Sequence, residues 1–285
     1  VAGRCNAREY LFGKRTDNRA LMEFAASDYQ NSEDPLTLDE HNLFYRLQTV
    51  FSHEEMMESD RNPVIAHKDL YYESVGLFIA RGSRLCLAVK GGDNDDSHNH
   101  NDVGSFTIYK DGKPLFIDAG VETYTKKTFS PDRYDIWTMQ SRYHNLPSFT
   151  DHGRETVQQD GGRYRAEEVR YELGEDVCRI SMDIAKAYPD DRIHSYTRSA
   201  VLDKEKSITI RDHYEGDGGT AVLSLMFCEK PSIHQNTIGI GDLGICTVEG
   251  ASSITSEEIP VTDERLKTAW KHSLYRCLVT MEARD

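Results

Sequence analysis

The spacing of apolar residues changes period once along the chain, near residue 68, and that change limits what the chain can become. Upstream, Leu21, Phe24 and Ala25, then Leu43, Phe44, Leu47 and Val50, recur at three- and four-residue intervals. This is the mark of helices with one buried stripe. The second segment follows Pro35 and Thr37-Leu38-Asp39-Glu40, a capping-box spelling in which threonine and glutamate side chains satisfy the free amides of a helix start. His53 to Asn62 is charged and reads as a solvated connector.

Downstream, the pattern becomes two-residue alternation and short apolar runs broken by turn signals. Ser74 to Ile79, Leu85 to Val89, Ser105 to Tyr109, Ile180 to Ile184, Ser207 to Ile210 and Ala221 to Phe227 all have this character. Asp111-Gly112, between Tyr109 and Leu115, spells a two-residue hairpin. Gly161-Gly162 and the Gly216 to Gly219 stretch read as further reversals. Roughly a dozen short strands without long helices between them predict a large antiparallel β-sandwich. The expected organisation is a helical stub and connector over residues 1–67, then the sandwich over residues 68–285.

The composition suits such a core, with 38% apolar and 29% charged residues among 285. A formal net charge of −14 argues against a nucleic-acid partner, because phosphate contacts need a basic face. No apolar run approaches the ~18–20 residues that span a bilayer, so no membrane partner is expected. The opening residues VAGRCNAREYLFGKR lack the apolar stretch of a signal peptide. There is no initiator Met, so a processed or trimmed piece is expected, from which a targeting segment could have been removed. The six cysteines are scattered without a CxxC pair; free thiols are expected, a weak pointer to a reducing, cytoplasmic compartment.

The densest polar cluster is Gly91 to Phe106, GGDNDDSHNHNDVGSF. His98 and His100 stand at i and i+2, which on a strand puts both imidazoles on one face, suited to a metal or to proton transfer. Asp118 follows the apolar run Leu115-Phe116-Ile117, and a carboxylate at the end of a buried strand needs a partner to offset its desolvation. His144 supplies a third imidazole. Two neutral imidazoles, one carboxylate and a water make a tetrahedral zinc-type set, although a core aspartate bonded to amides and a surface histidine explain the same residues. Asp93-Asn94-Asp95-Asp96 lacks the glycine and glutamate of a calcium loop, with His98 and Gly104 at those positions, and reads as a solvated loop. A cupin-type site is disfavoured too, since Gly104 and Ser105 stand where its glutamate belongs.

His98-Asn99-His100-Asn101-Asp102-Val103-Gly104-Ser105-Phe106, then Tyr109, then Asp111 through Gly120, and Tyr124, resembles the central motif of the heparinase II/III-like polysaccharide lyases. The resemblance runs on through Ser141, Tyr143-His144-Asn145 and Gln159-Asp160-Gly161-Gly162. Leu146-Pro147 departs from it where the family often has threonine. The resemblance implies a helical toroid followed by an antiparallel β-sandwich, with residues 1–67 the remnant of the toroid. It implies His100, Asp118 and His144 as ligands of a divalent metal, zinc foremost, and His98 as the residue that reaches the substrate uronate. It further implies β-elimination on an acidic polysaccharide or oligosaccharide, a periplasmic setting, and a base and acid carried by the helical domain, so that this chain would be inactive alone.

Tyr124, Phe129, Tyr134, Trp137 and Tyr143 lie between the second and third of these residues and can stack on sugar rings or fill the core. Arg133, Arg142 and Arg154 could hold sulfate or carboxylate, or simply decorate the surface. The substrate-binding candidates are Tyr124, Tyr134, Trp137 and Arg142. A non-catalytic, metal-stabilised carbohydrate-binding β-sandwich is the competing expectation.

Overall fold

The computed structural model describes residues 6–32, 36, 42–60, 62–63, 67–217 and 219–281. The chain divides into two compact units, residues 1–67 and 68–285. In the first, helices α1 (Asn6–Arg15), α2 (Arg19–Gln30) and α3 (Leu43–Glu58) bury Ala7, Tyr10, Ala25, Ala26, Tyr29 and Met56. Asn18 and Asn42 start α2 and α3 by accepting from Leu21 N and Phe44 N, the usual N-cap bond. Thr37-Leu38-Asp39-Glu40 lies outside the described residues.

The apolar stripe expected on α3 is not its buried face. Leu43, Phe44, Leu47 and Val50 are exposed, and the helix turns Thr49, Ser52 and Met56 inward instead. Part of the expected connector is also helical, since α3 runs on to Glu58. Met56 anchors that last turn in the core, and the Gln30 amide donates to the carbonyls of Met56 and Ser59 at 2.6 and 2.8 Å. Those bonds satisfy carbonyls that a helix end leaves unpaired.

The second unit is built from antiparallel sheets. One five-stranded sheet orders Leu70–Tyr72, Leu77–Arg81, Leu85–Lys90, Phe106–Lys110 and Lys113–Phe116. A four-stranded sheet follows from Glu167–Leu173, Val177–Asp183, Ile193–Asp203 and Ser207–Gly216. A second five-stranded sheet runs Ala251–Ile259, Leu274–Met281, Thr220–Phe227, Pro147–Asp151, Arg154–Thr156. Their inner faces share one core that includes Phe78, Leu87, Phe106, Phe149, Ile180, Tyr196 and Phe227. This is the antiparallel β-sandwich with a short helical segment before it. No helix among the described residues is long and apolar enough to cross a membrane.

The Asp111-Gly112 hairpin is present, with φ of 52° and 74°, the doubly left-handed turn that matches strand twist. Gly161-Gly162 does not reverse the chain. It opens the strand Gly161–Arg165, which pairs with Asp93–Asn94. Asn94 is therefore fully buried and donates to Gln158 Oε1 and Gln159 O, so the acidic run is not wholly a solvated loop.

In Ile193–Asp203 the buried register reads Ile193, Tyr196, Arg198, Ala200, Leu202. Arg198 occupies an apolar position and is 1% exposed. Directly opposite on Ser207–Gly216 stands Asp212, which takes both arms of the guanidinium at 2.8 and 2.6 Å and the Tyr196 hydroxyl at 2.8 Å. The remaining guanidinium nitrogen donates to Gly104 O at 2.8 Å and Asn145 O at 2.6 Å.

Candidate metal centre

The segment 95–105 is irregular rather than extended, so His98 and His100 do not share a strand face. His98 adopts φ of +62° and is exposed, whereas His100 turns inward and is buried. The asparagines between them hold this course. Asn99 Nδ2 donates to Asn94 O at 2.8 Å, and Asn101 Nδ2 donates to Gln158 O at 3.2 Å. Gln158 grips Val103 from both sides, accepting from its N and donating to its O. An irregular buried segment must place its polar groups somewhere, and here amide side chains do what a neighbouring strand would otherwise do.

Gly104 closes the segment at φ +87°, where an added Cβ would stand 2.9 and 3.0 Å from Ile184 side-chain carbons. Gly104→Ala is expected to lower stability by about 1–3 kcal/mol, from left-handed strain and crowding together. A chemical-denaturation midpoint unchanged from wild type would refute this.

His100, Asp118 and His144 converge, joined by Asp102; one donor atom from each lies within 4.8 Å of every other. The two imidazole rings are 5.4 Å apart. His144 Nδ1 is 2.8 Å from Asp118 Oδ2, yet among the described residues neither His144 ring nitrogen meets hydrogen-bond geometry, and the side chain is fully buried. Asp118 Oδ1 is held by Gly120 N at 2.7 Å, and its side chain stays 36% exposed, which leaves one side of the group open. The donor set and the unsatisfied imidazole fit a divalent cation. Such a buried group could hold a metal.

The electrostatics of His100 agree. Burial, reinforced by the neighbouring His144, pushes His100 down to about 4, so it is a neutral donor at ordinary pH. Burial opposes charge on His144 and Asp118 alike, but their mutual attraction prevails, raising the imidazole and lowering the carboxyl. Asp102 is raised by burial, although Lys90 Nζ binds it at 2.8 Å while also meeting Asp96 at 3.0 Å. Lys90 thus engages Asp102 as an ion pair, while Asp118 and His144 face one another and His100 beside them.

Asn145, next to His144, ties the segment before Asp118 to Phe106. Its Nδ2 donates to Phe106 O at 2.6 Å and to Ile117 O at 3.0 Å, the carbonyl just before Asp118. Its Oδ1 accepts from Met226 N at 2.7 Å, and its own amide donates to Ser105 Oγ at 3.3 Å. Sequence reasoning gave no role to Asn145, Asp102, Lys90 or Arg198. The last had a visible signal: an arginine in the register Tyr196, Arg198, Ala200, Leu202 faces an aspartate in the register Ile208, Ile210, Asp212, Tyr214.

Among the substrate candidates, Tyr124 lies beside His98. Its hydroxyl is 3.2 Å from His98 Nδ1, the two rings stack 5.6 Å apart, and exposed Phe129 meets Tyr124 edge-on. Tyr134 receives Asn99 Nδ2 at its hydroxyl. Trp137 packs with Ile117, Ala119 and Leu274 and donates to Glu122. Arg142 pairs with Glu155 at 3.0 Å. Arg133 is spent on the carbonyls of Asn99 and Thr128. The cysteines among the described residues, Cys86, Cys178, Cys228, Cys246 and Cys277, are free.

Fold and site together define an antiparallel β-sandwich carrying a buried two-histidine, one-aspartate group. The chain belongs to the heparinase II/III-like, C-terminal family, which matches residues 66–258 and sets it in a polysaccharide-lyase context. Its fold is similar to heparan sulfate lyase HepC from Pedobacter heparinus, with a TM-score of 0.56 and 13% identity over 91% of this chain and 40% of that one. It is also similar to a crystal structure of heparinase III, with a TM-score of 0.55 and 15% identity over 98% and 50%. The chain thus spans about half or less of these structures. No curated protein matches it.

Proposed function

We propose that this chain is the β-domain of a lyase that cleaves uronic-acid-containing glycans by β-elimination, with His100, Asp118 and His144 holding a divalent metal. The observation that carries the reading is the convergence of His100, Asp118 and His144, two residues along the chain from an exposed imidazole, His98, that meets Tyr124. Zinc suits two neutral imidazoles and one carboxylate with an open fourth position. Bound there, it would add positive charge and tie together three segments distant in sequence. Residues 1–67 would be the end of a helical domain that supplies base and acid, and residues 68–285 the sandwich.

In β-elimination the C5 proton leaves, the C4–O bond breaks and a C4–C5 double bond forms. The uronate carboxylate must be neutralised for the C5 proton to be acidic. When Tyr124 Oη donates to His98 Nδ1, the ring proton resides on Nε2, which then donates to that carboxylate. An acidic glycosaminoglycan-type oligosaccharide is the proposed partner, supported by the named substrate of the heparan sulfate lyase HepC.

Two measurements test the reading. Elemental analysis of the purified chain is expected to find about one metal per chain, lost in His144→Ala. A zinc-supplemented wild type without stoichiometric metal would refute the site. On the full-length protein, uronate oligosaccharides are expected to give the unsaturated product, followed by its ultraviolet absorbance. Binding without product would instead favour a carbohydrate-binding sandwich.

A further inference from the structure

Arg265 lies beyond the residues matched by the family and belongs to the short helix Glu264–Lys267. Its guanidinium carbon stands 4.9 Å from the centre of the Tyr124 ring, the same ring that stacks on His98. One carboxylate fixes this meeting. Asp263 accepts from Arg265 N at 2.9 Å and Leu266 N at 3.1 Å, and also from Thr123 N, the residue before Tyr124, at 3.1 Å. Leu266, behind it, is 2% exposed and anchors the turn in the fold.

Among the described residues the guanidinium makes no hydrogen bond or ion pair. Among the described residues the acids around it are engaged elsewhere: Asp263 by backbone amides, Glu264 by Lys267 at 2.6 Å, and Glu122 by the Trp137 indole. An exposed arginine without an acidic partner among the described residues, in a chain of net charge −14, is set against the ring that stacks on His98. A guanidinium offers forked donors matched to carboxylate and sulfate oxygens, and the aromatic face beneath it restrains its orientation.

We propose that Arg265 is a specificity-determining residue that binds an anionic substituent, sulfate or carboxylate, on the sugar neighbouring the one held at His98. The proposal rests on the reading of the site as one for acidic glycans. It assigns to Arg265, which lies beyond the matched residues, a charged subsite shared with Tyr124.

The test titrates the wild-type chain and Arg265→Gln with a defined uronate tetrasaccharide, unsulfated and sulfated, followed by NMR shifts of the Tyr124 and His98 ring signals. Arg265→Gln is expected to weaken binding about five- to tenfold, as for loss of one exposed charge-assisted contact, with its melting temperature unchanged because the side chain is exposed. A loss confined to the sulfated sugar assigns a sulfate to the subsite, and an equal loss for both assigns a carboxylate. Equal binding by wild type and variant overturns the role of Arg265 alone. Failure of the wild type to bind either sugar overturns the acidic-glycan reading and this proposal with it.

Discussion

Replacing Arg198 with alanine is expected to remove about 3–5 kcal/mol of folding stability, the usual cost of leaving one member of a buried ion pair without the other. The loss would extend beyond the pair. Asp212 would keep its charge in the core with only the Tyr196 hydroxyl as partner, and the carbonyls of Gly104 and Asn145 would each lose a donor. Against a total of about 5–15 kcal/mol for an ordinary domain, this is a large fraction. The companion variant Arg198→Met with Asp212→Leu removes both charges and is expected to recover most of the loss. Urea unfolding of the three proteins decides the matter, and a single variant within about 1 kcal/mol of wild type would contradict it.

The second large effect is a dependence on pH in the metal-free chain, read in the presence of a chelator. His100 titrates near 6.5 when unfolded and at about 4 when folded, held down first by burial and then by His144. Between those values the unfolded chain binds a proton that the folded chain refuses, so stability falls as pH drops through this window. With about 1.4 kcal/mol per pKa unit, the loss approaches roughly 3 kcal/mol at pH 4. His144 has the opposite sign. Its raised value means that its contribution is complete below about 6.5 and fades as pH climbs through the folded value. Asp118, lowered when folded, keeps its contribution above about pH 4 and surrenders it only in stronger acid. The metal-free chain is therefore expected to be most stable near neutrality. His100→Gln is expected to flatten the acid limb, and equal denaturation midpoints for wild type at pH 7 and pH 4 would contradict the assignment.

The strand rhythm and the Asp111-Gly112 turn were legible in the sequence because period-two alternation and left-handed turn residues are local properties. Residue chemistry offered His100, Asp118 and His144 as a set only beside core and surface alternatives, and the resemblance of a long motif singled them out, since no spacing rule joins three irregular segments. Where local rules failed, a tertiary contact had won. His98 and His100 part company because buried asparagine amides bend the chain between them. The expected face of α3 is exposed because its other face, through Met56, meets α1 and α2. Arg198 passed unnoticed because an arginine in an apolar register makes sense only once its cross-strand partner is known.

The cross-braces at Asn145 and Arg198 are also expected to order events in time. The three donors reach their places only when Ile193–Asp203 and Thr220–Phe227 have docked, because Arg198 holds Gly104 and Asn145 from the one and Met226 holds Asn145 from the other. These contacts close long loops, which form late and slowly. Cation uptake would then follow the rate-limiting collapse rather than nucleate it. Added metal should leave the refolding rate unchanged and slow unfolding, giving the mature molecule a kinetic lock acquired after assembly.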